Sequence, residues 1–219
     1  MERDPFYEDA NRRIIGLNDQ EFAAFVEHHL VDHWCDEYYS EVSVANPQVM
    51  DIGSFTVIFD FTASLDDSDF QGGSRQADRV IAIYGRSCPP QAVRDAVRMR
   101  GFLGKTFKVF GHGYDKGHFI AHTAGGDILD SVNWFRQERR LNRGWSEQGK
   151  IYRKMERFCA VHPGTFLFAR PIYGNSTADP DRLEFGILRD GALDAWIFDN
   201  RRQSANAPAP RKIRSASTV

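Results

Sequence analysis

The sequence predicts an α+β protein, and three observations carry that prediction. Two runs, SFTVIFDFT (54–62) and DRVIAIYG (78–85), are β-branched and aromatic and are bounded by turn residues, as strands are. Three more, TFLFARPIYG (165–174), LEFGILRD (183–190) and DAWIFD (194–199), read the same way near the C-terminus. Between the two sets lies a charged, glycine-bearing segment with helical stretches, so strands stand on both sides of one central helix-bearing segment.

Along the chain, residues 18–40 predict a helix. Phe22, Phe25, Val26, His29, Leu30, His33 and Trp34 recur at 3.6-residue spacing behind an Asn18 or Asp19 cap. DDSDFQGGS (66–74) reads as a turn-rich loop. Pro89 and Pro90 start a helix through QAVRDAVRMR, and KTFKVFG (105–111) reads as a strand running into GHGYDKGHFIAHTAGGD (111–127). Trp145 to Cys159 predicts a helix with a basic face. From Gln203 onward the chain is small, polar and proline-bearing, and reads as a disordered tail. The expected division is an acidic α+β region of unknown role at 1–100, a core at 101–202 and the tail at 203–219.

Composition narrows the classes. With 219 residues, 42% hydrophobic and 26% charged, the chain can bury a sizeable core, and no apolar run is long enough to cross a bilayer. The N-terminus, MERDPFYEDANRR, lacks the apolar stretch of a secretory signal, so the expectation is a cytoplasmic protein or one delivered without a cleavable signal. Three widely spaced cysteines, Cys35, Cys88 and Cys159, argue against a disulfide framework and, with no CxxC pair, against a zinc knuckle. The net charge of -2 hides an asymmetry. Residues 1–93 hold 6 basic against 17 acidic side chains, whereas residues 94–157 hold 14 against 7. A basic middle segment suits a polyanion, although a solvated helix face explains charge alone equally well.

Three histidines, His112, His118 and His122, crowd the glycine-rich segment, but the pattern around them is more informative than their number. In order come Tyr114-Asp115-Lys116-Gly117-His118, Gly125-Gly126, Asn133-Trp-Phe-Arg-Gln137, Leu141-Asn142-Arg143-Gly144 and Tyr152-Arg-Lys-Met-Glu156, then Pro171-Ile172-Tyr173-Gly174-Asn175-Ser176. This series resembles the DNA/RNA non-specific endonuclease family, a branch of the His-Me finger (ββα-metal) nucleases, over about residues 105–200. Lys116 stands where the family has arginine, which keeps the charge and loses the planar fork. Arg136 replaces the proline usual before the glutamine.

The resemblance implies a ββα-metal core with an antiparallel sheet and a central helix, joined to the N-terminal α+β region. It implies a hydrolase that cuts phosphodiester bonds in DNA, with RNA as a second substrate. By resemblance His118 is the general base, Asn142 the direct ligand of one Mg²⁺ (or Mn²⁺), and Glu156 orients water beside that ion. Asp115 helps set the position of the histidine, and Lys116, Arg143, Arg153 and Gln137 hold substrate. The chemistry needs these types. A neutral histidine accepts a proton near its reference pKa of about 6.5, and an amide carbonyl offers a hard cation oxygen without added charge. The family also includes toxin domains, so an inhibitor (immunity) protein is an expected partner, and no membrane is.

Plainer readings stand beside these. His112 and His122 have no counterpart in the family pattern, and His122 shares a face with His118 only if the strand continues past the motif. Asn142 could cap the following helix. His29 and His33 stand at i, i+4 on an apolar stripe, which favours a half-buried structural role over a zinc site. From a different class, the chain could be a nucleic-acid-binding module that keeps this fold without catalysis.

Overall fold

The structure, a computed structural model, describes residues 4–66, 75–90, 106–127 and 130–202. Three of the expectations above lie outside these residues: the helix through QAVRDAVRMR, most of the 66–74 loop and the tail from Gln203.

Six antiparallel strands form the main sheet. They are β1 (Pro47–Ile52), β2 (Phe55–Asp60), β3 (Arg79–Arg86), then, after an excursion, further strands at Phe166–Ile172, Arg182–Arg189 and Ala192–Asp199. The excursion holds a helical turn, α4 (Thr106–Val109), a two-stranded hairpin of β4 (Tyr114–His118) and β5 (Trp134–Glu138), a short helix α5 (Arg139–Asn142) and the long helix α6 (Glu147–Val161). With the last three strands numbered β6 to β8, the order across the sheet is β1-β2-β3-β6-β7-β8. Because β3 pairs with β6, the sheet draws strands from both 1–100 and 101–202.

Alternation along the strands sends side chains to two cores. Val57, Val80, Leu167, Phe185 and Phe198 face Tyr152 and Met155 of α6. Ile58, Ile81, Phe166 and Phe168 face the N-terminal helices, α1 (Phe6–Arg13), α2 (Asp19–Phe25) and α3 (Val31–Glu41). Trp34 and Phe168 are wholly buried there, with ring centroids 4.7 Å apart. Each such side chain contributes about 2–3 kcal/mol through burial. Register shifts between Ile58 and Phe59 in the β2–β3 pairing, a bulge that resets which face each side chain meets.

The expected helix at 18–40 is present as α2 and α3 joined through a π turn at Val26–Leu30. Asn18 is the cap, its side chain accepting from the Gln20 and Glu21 N–H groups while Glu21 reaches back, a complete capping box. His29 accepts from Arg13 (2.7 Å), and His33 pairs with Asp4 (3.0 Å) while stacking on Phe6, so both histidines are structural.

Two expectations are corrected. KTFKVFG does not form a strand running into the motif: Thr106–Val109 is a helical turn. Gly111 and Gly113 then take left-handed backbone angles (φ 78° and 88°), which a continuing strand cannot contain. The strand is the motif itself, 114–118. Nor does Asn142 cap the long helix. It ends α5, and Ser146 caps α6 by accepting from the Gly149 N–H.

Candidate functional site

The hairpin is built around two close approaches. In the β4–β5 register Asp115 faces Gln137, Lys116 faces Arg136, Gly117 faces Phe135 and His118 faces Trp134. Gln137 is buried against Gly117, where a Cβ would come 2.6 Å from its Oε1, so the glycine before the histidine is a packing requirement. Beyond His118 the strand ends, and the loop is held by Asn133. Its Oδ1 accepts from the Ile120 N–H (2.9 Å), and its Nδ2 donates to the carbonyls of Ile120 (3.0 Å) and Asp127 (2.8 Å). Gly126 passes so near the Ile120 carbonyl that no side chain fits. His122 lies in a 3₁₀ turn, so it does not continue a strand face from His118.

Asp115 gathers the residues that follow the hairpin. It accepts from Arg143 through Nε (2.7 Å) and Nη2 (3.0 Å), from Arg139 Nε (3.0 Å) and from Asn142 Nδ2 (3.2 Å). Burial alone would raise its pKa, but the hydrogen bonds from Arg143, Asn142 and Arg139 outweigh it and hold the carboxyl below its ordinary range. A carboxylate can only accept, so the amide nitrogen of Asn142 must face Asp115 and its carbonyl oxygen is the end left for another partner. Three positions separate Asp115 from His118, which puts them on opposite faces of β4. Asp115 therefore positions Asn142 and the two arginines rather than the histidine.

His118 is half-buried, with its ring 4.0 Å from that of Trp134 and tilted 46° to it. Lys116, on the same face, lies 5.8 Å above the Trp134 ring, and burial lowers its pKa. Glu156, on α6, is buried and ion-paired with Arg153 (2.7 Å). Burial pushes its carboxyl up to about 7 despite the opposing pull of Arg153. Arg153 in turn lies over Gly144, in the turn between α5 and α6.

The structure thus brings Asp115, Asn142 and Arg143 into direct contact and pairs Arg153 with Glu156, while Gln137 serves the core. Arg143, expected on phosphate, is held in two-point contact with Asp115. The sequence pointed to Arg139 only as one of a basic set suited to nucleic acid, and gave no role to Trp134 or Glu138. Arg139 and Arg143 stand at i, i+4, a spacing that marks one face of a helix and could have found the pair. Glu138, buried, accepts from the Leu141 N–H and caps α5, and Asn200 ties the hairpin to the sheet through Glu138 N (2.8 Å) and the carbonyl of Arg136 (2.8 Å).

Among the described residues no group of three or more His, Cys, Asp or Glu side chains could hold a metal ion. A three-histidine zinc centre at 112, 118 and 122 is therefore not built. A hard cation that keeps most of its waters needs fewer protein ligands, and the open carbonyl of Asn142 fits one. No helix of the described residues is long and apolar enough to cross a membrane.

No family model and no curated protein matches the chain. Solved structures similar to it include the following two. One is an extracellular endonuclease, with a TM-score of 0.37 and 13% identity over 76% of this chain and 83% of that one. The other is Sda1 nuclease with bound zinc ion, with a TM-score of 0.36 and 17% identity over 73% of this chain and 75% of that one. At such distances the chemistry rests on the side chains.

Proposed function

We propose that this protein is a metal-dependent nuclease that hydrolyses phosphodiester bonds in DNA and RNA without sequence preference. The observation that carries the reading is the Asp115 clamp: it holds Asn142 by its amide nitrogen beside a hairpin whose motif ends in His118. The hairpin followed by α6 supports a ββα arrangement for this core. In this reading His118 takes the proton from the attacking water. Asn142 would hold one Mg²⁺ or Mn²⁺ through its carbonyl oxygen, and such an ion would supply Lewis-acid stabilisation of the charge that develops in the reaction. Glu156, buried beside Arg153, orients water near the site, and Lys116 supplies positive charge on the His118 face. Exposed Lys150, Lys154 and Arg157 on α6 suit the phosphate backbone, whose contacts carry no sequence information. Delivery as a toxin, countered by an inhibitor protein, is the biological setting we favour.

The test incubates the full chain with plasmid and with RNA, in Mg²⁺, Mn²⁺ or EDTA, beside His118→Ala. We expect cleavage in either metal ion, none in EDTA, and a rate about 10²–10⁴ lower in the variant, the range that general-base catalysis contributes. Cleavage that persists in EDTA or in the variant overturns the mechanism. Retained nucleic-acid binding with no cleavage under any ion selects the non-catalytic module.

A further inference from the structure

We infer that a crevice on the opposite face of the sheet binds a small cationic carboxylate of the basic amino-acid class, independently of the nuclease reading. The crevice lies between the start of α1, α3 and strands β3, β6, β7 and β8, and encloses about 250 Å³, far more than one water needs. Its walls include Trp34, Ile81, Pro171 and Ile197. Into it faces Arg170, only 6% exposed. Its Nε donates to Glu184 Oε2 (2.7 Å), which also accepts from the Tyr7 hydroxyl (3.0 Å), so the inner edge of the guanidinium is fixed. Its two terminal nitrogens donate to no group among the described residues. They form a planar fork suited to a carboxylate, already oriented by the buried pair behind it.

The other polar walls are acidic. Glu37 and Glu41 stand one turn apart on α3 and line the same crevice; neither carboxylate makes a hydrogen bond or ion pair among the described residues, and the charge of Glu37 reaches Arg170 only through space, raising its pKa. Two like charges at i, i+4 cost a helix stability, and a cation placed between them removes that cost. Asp4 also lines the crevice, but His33 and the Phe6 N–H already occupy its oxygens. A simple anion at Arg170 would share the crevice with Glu37 and Glu41, and a bare metal cation would share it with Arg170 and Arg182. A molecule with a carboxylate at one end and cationic nitrogens at the other satisfies both sets of groups.

The test is isothermal titration calorimetry of the full chain with L-arginine as probe, and with agmatine, the same molecule lacking the carboxylate. We expect one L-arginine per chain and agmatine about tenfold or more weaker, a loss in the range of one charge-assisted pair. The E37Q/E41Q double variant alters exposed side chains, so it keeps the wild-type circular dichroism spectrum, and it should weaken L-arginine by about tenfold or more. Arg170→Lys keeps the charge beside Glu184, removes the fork and should weaken L-arginine likewise. If that variant fails to fold, the double variant decides. No heat from L-arginine at millimolar concentration, equal binding of agmatine, or indifference to the double variant overturns the inference.

Discussion

The hairpin and the long helix α6 each bury a carboxylate beside arginine, yet the two acids end in opposite states. Asp115 on the hairpin accepts from Arg139, Arg143 and Asn142, and its pKa falls. Glu156 on α6 is paired with Arg153 and hydrogen-bonded by Tyr152, and burial still lifts it to about 7. Burial opposes ionisation at both sites: it prevails at Glu156, where desolvation is deeper, and is outweighed at Asp115, where charged donors are more numerous. The pair of regions teaches that a carboxylate in this core is a fixed charge where donors surround it and a titrating group where they do not.

The largest expected effect tests the fixed charge. Asp115→Ala removes the acceptor for two guanidiniums and the Asn142 amide, and should cost about 3 kcal/mol in urea unfolding at pH 7, discounted because both arginines are partly exposed. The contribution of Asp115 is present above its unfolded-state pKa of 3.8 and is lost as pH falls below that value, because the folded pKa lies lower. An Asp115→Ala protein as stable as wild type at pH 7 would break the comparison at its strongest point.

Glu156 has the opposite sign. Its folded pKa lies above the ordinary 4.5, so its stabilising, protonated form is complete at acid pH and is lost as pH rises from 4.5 through about 7. In EDTA the wild type should lose roughly 2–3 kcal/mol from this group between pH 5 and pH 8, and Glu156→Gln should flatten that slope. A slope that survives the substitution would place the titration elsewhere. The smallest effect sharpens the contrast: Arg153→Met removes the charged donor, leaving Tyr152, and should raise the midpoint of that slope, with stability at pH 5 changing by under about 1 kcal/mol, since Arg153 is more than half exposed.

How much of this was legible beforehand depended on which interactions were local. The strands at 54–62, 78–85, 165–174, 183–190 and 194–199 announced themselves because both faces of the sheet are covered, so most of their residues are apolar or β-branched. Strand β1 escaped notice for the opposite reason. It is an edge strand with Pro47, Gln48 and Val49 exposed, and it carries little apolar pattern. Helix α1 is eight residues of mostly polar chain, anchored by Tyr7 and Ala10, and its burial is visible only once β7 and α3 are in place. KTFKVFG failed as a strand because a short apolar run fits either element, and the glycines after it settled the matter.

At the site, residue types and order were readable from the chain: an acid, a cation, a glycine and a histidine on one strand, then asparagine and arginine after a second. That Gly117 must be glycine, that Asn133 locks the loop and that Asp115 serves Asn142 rather than His118 were not. These depend on Gln137, Ile120, Arg139 and Arg143, contacts made across the hairpin and its following helix. The amino-acid order by itself determined the strand alternation, the capping box at Asn18 and the residues available for chemistry, because periodicity and capping act over a few neighbours. Only the tertiary structure decided which carboxylate stays charged and which titrates, because desolvation and donor count are properties of the packed surroundings.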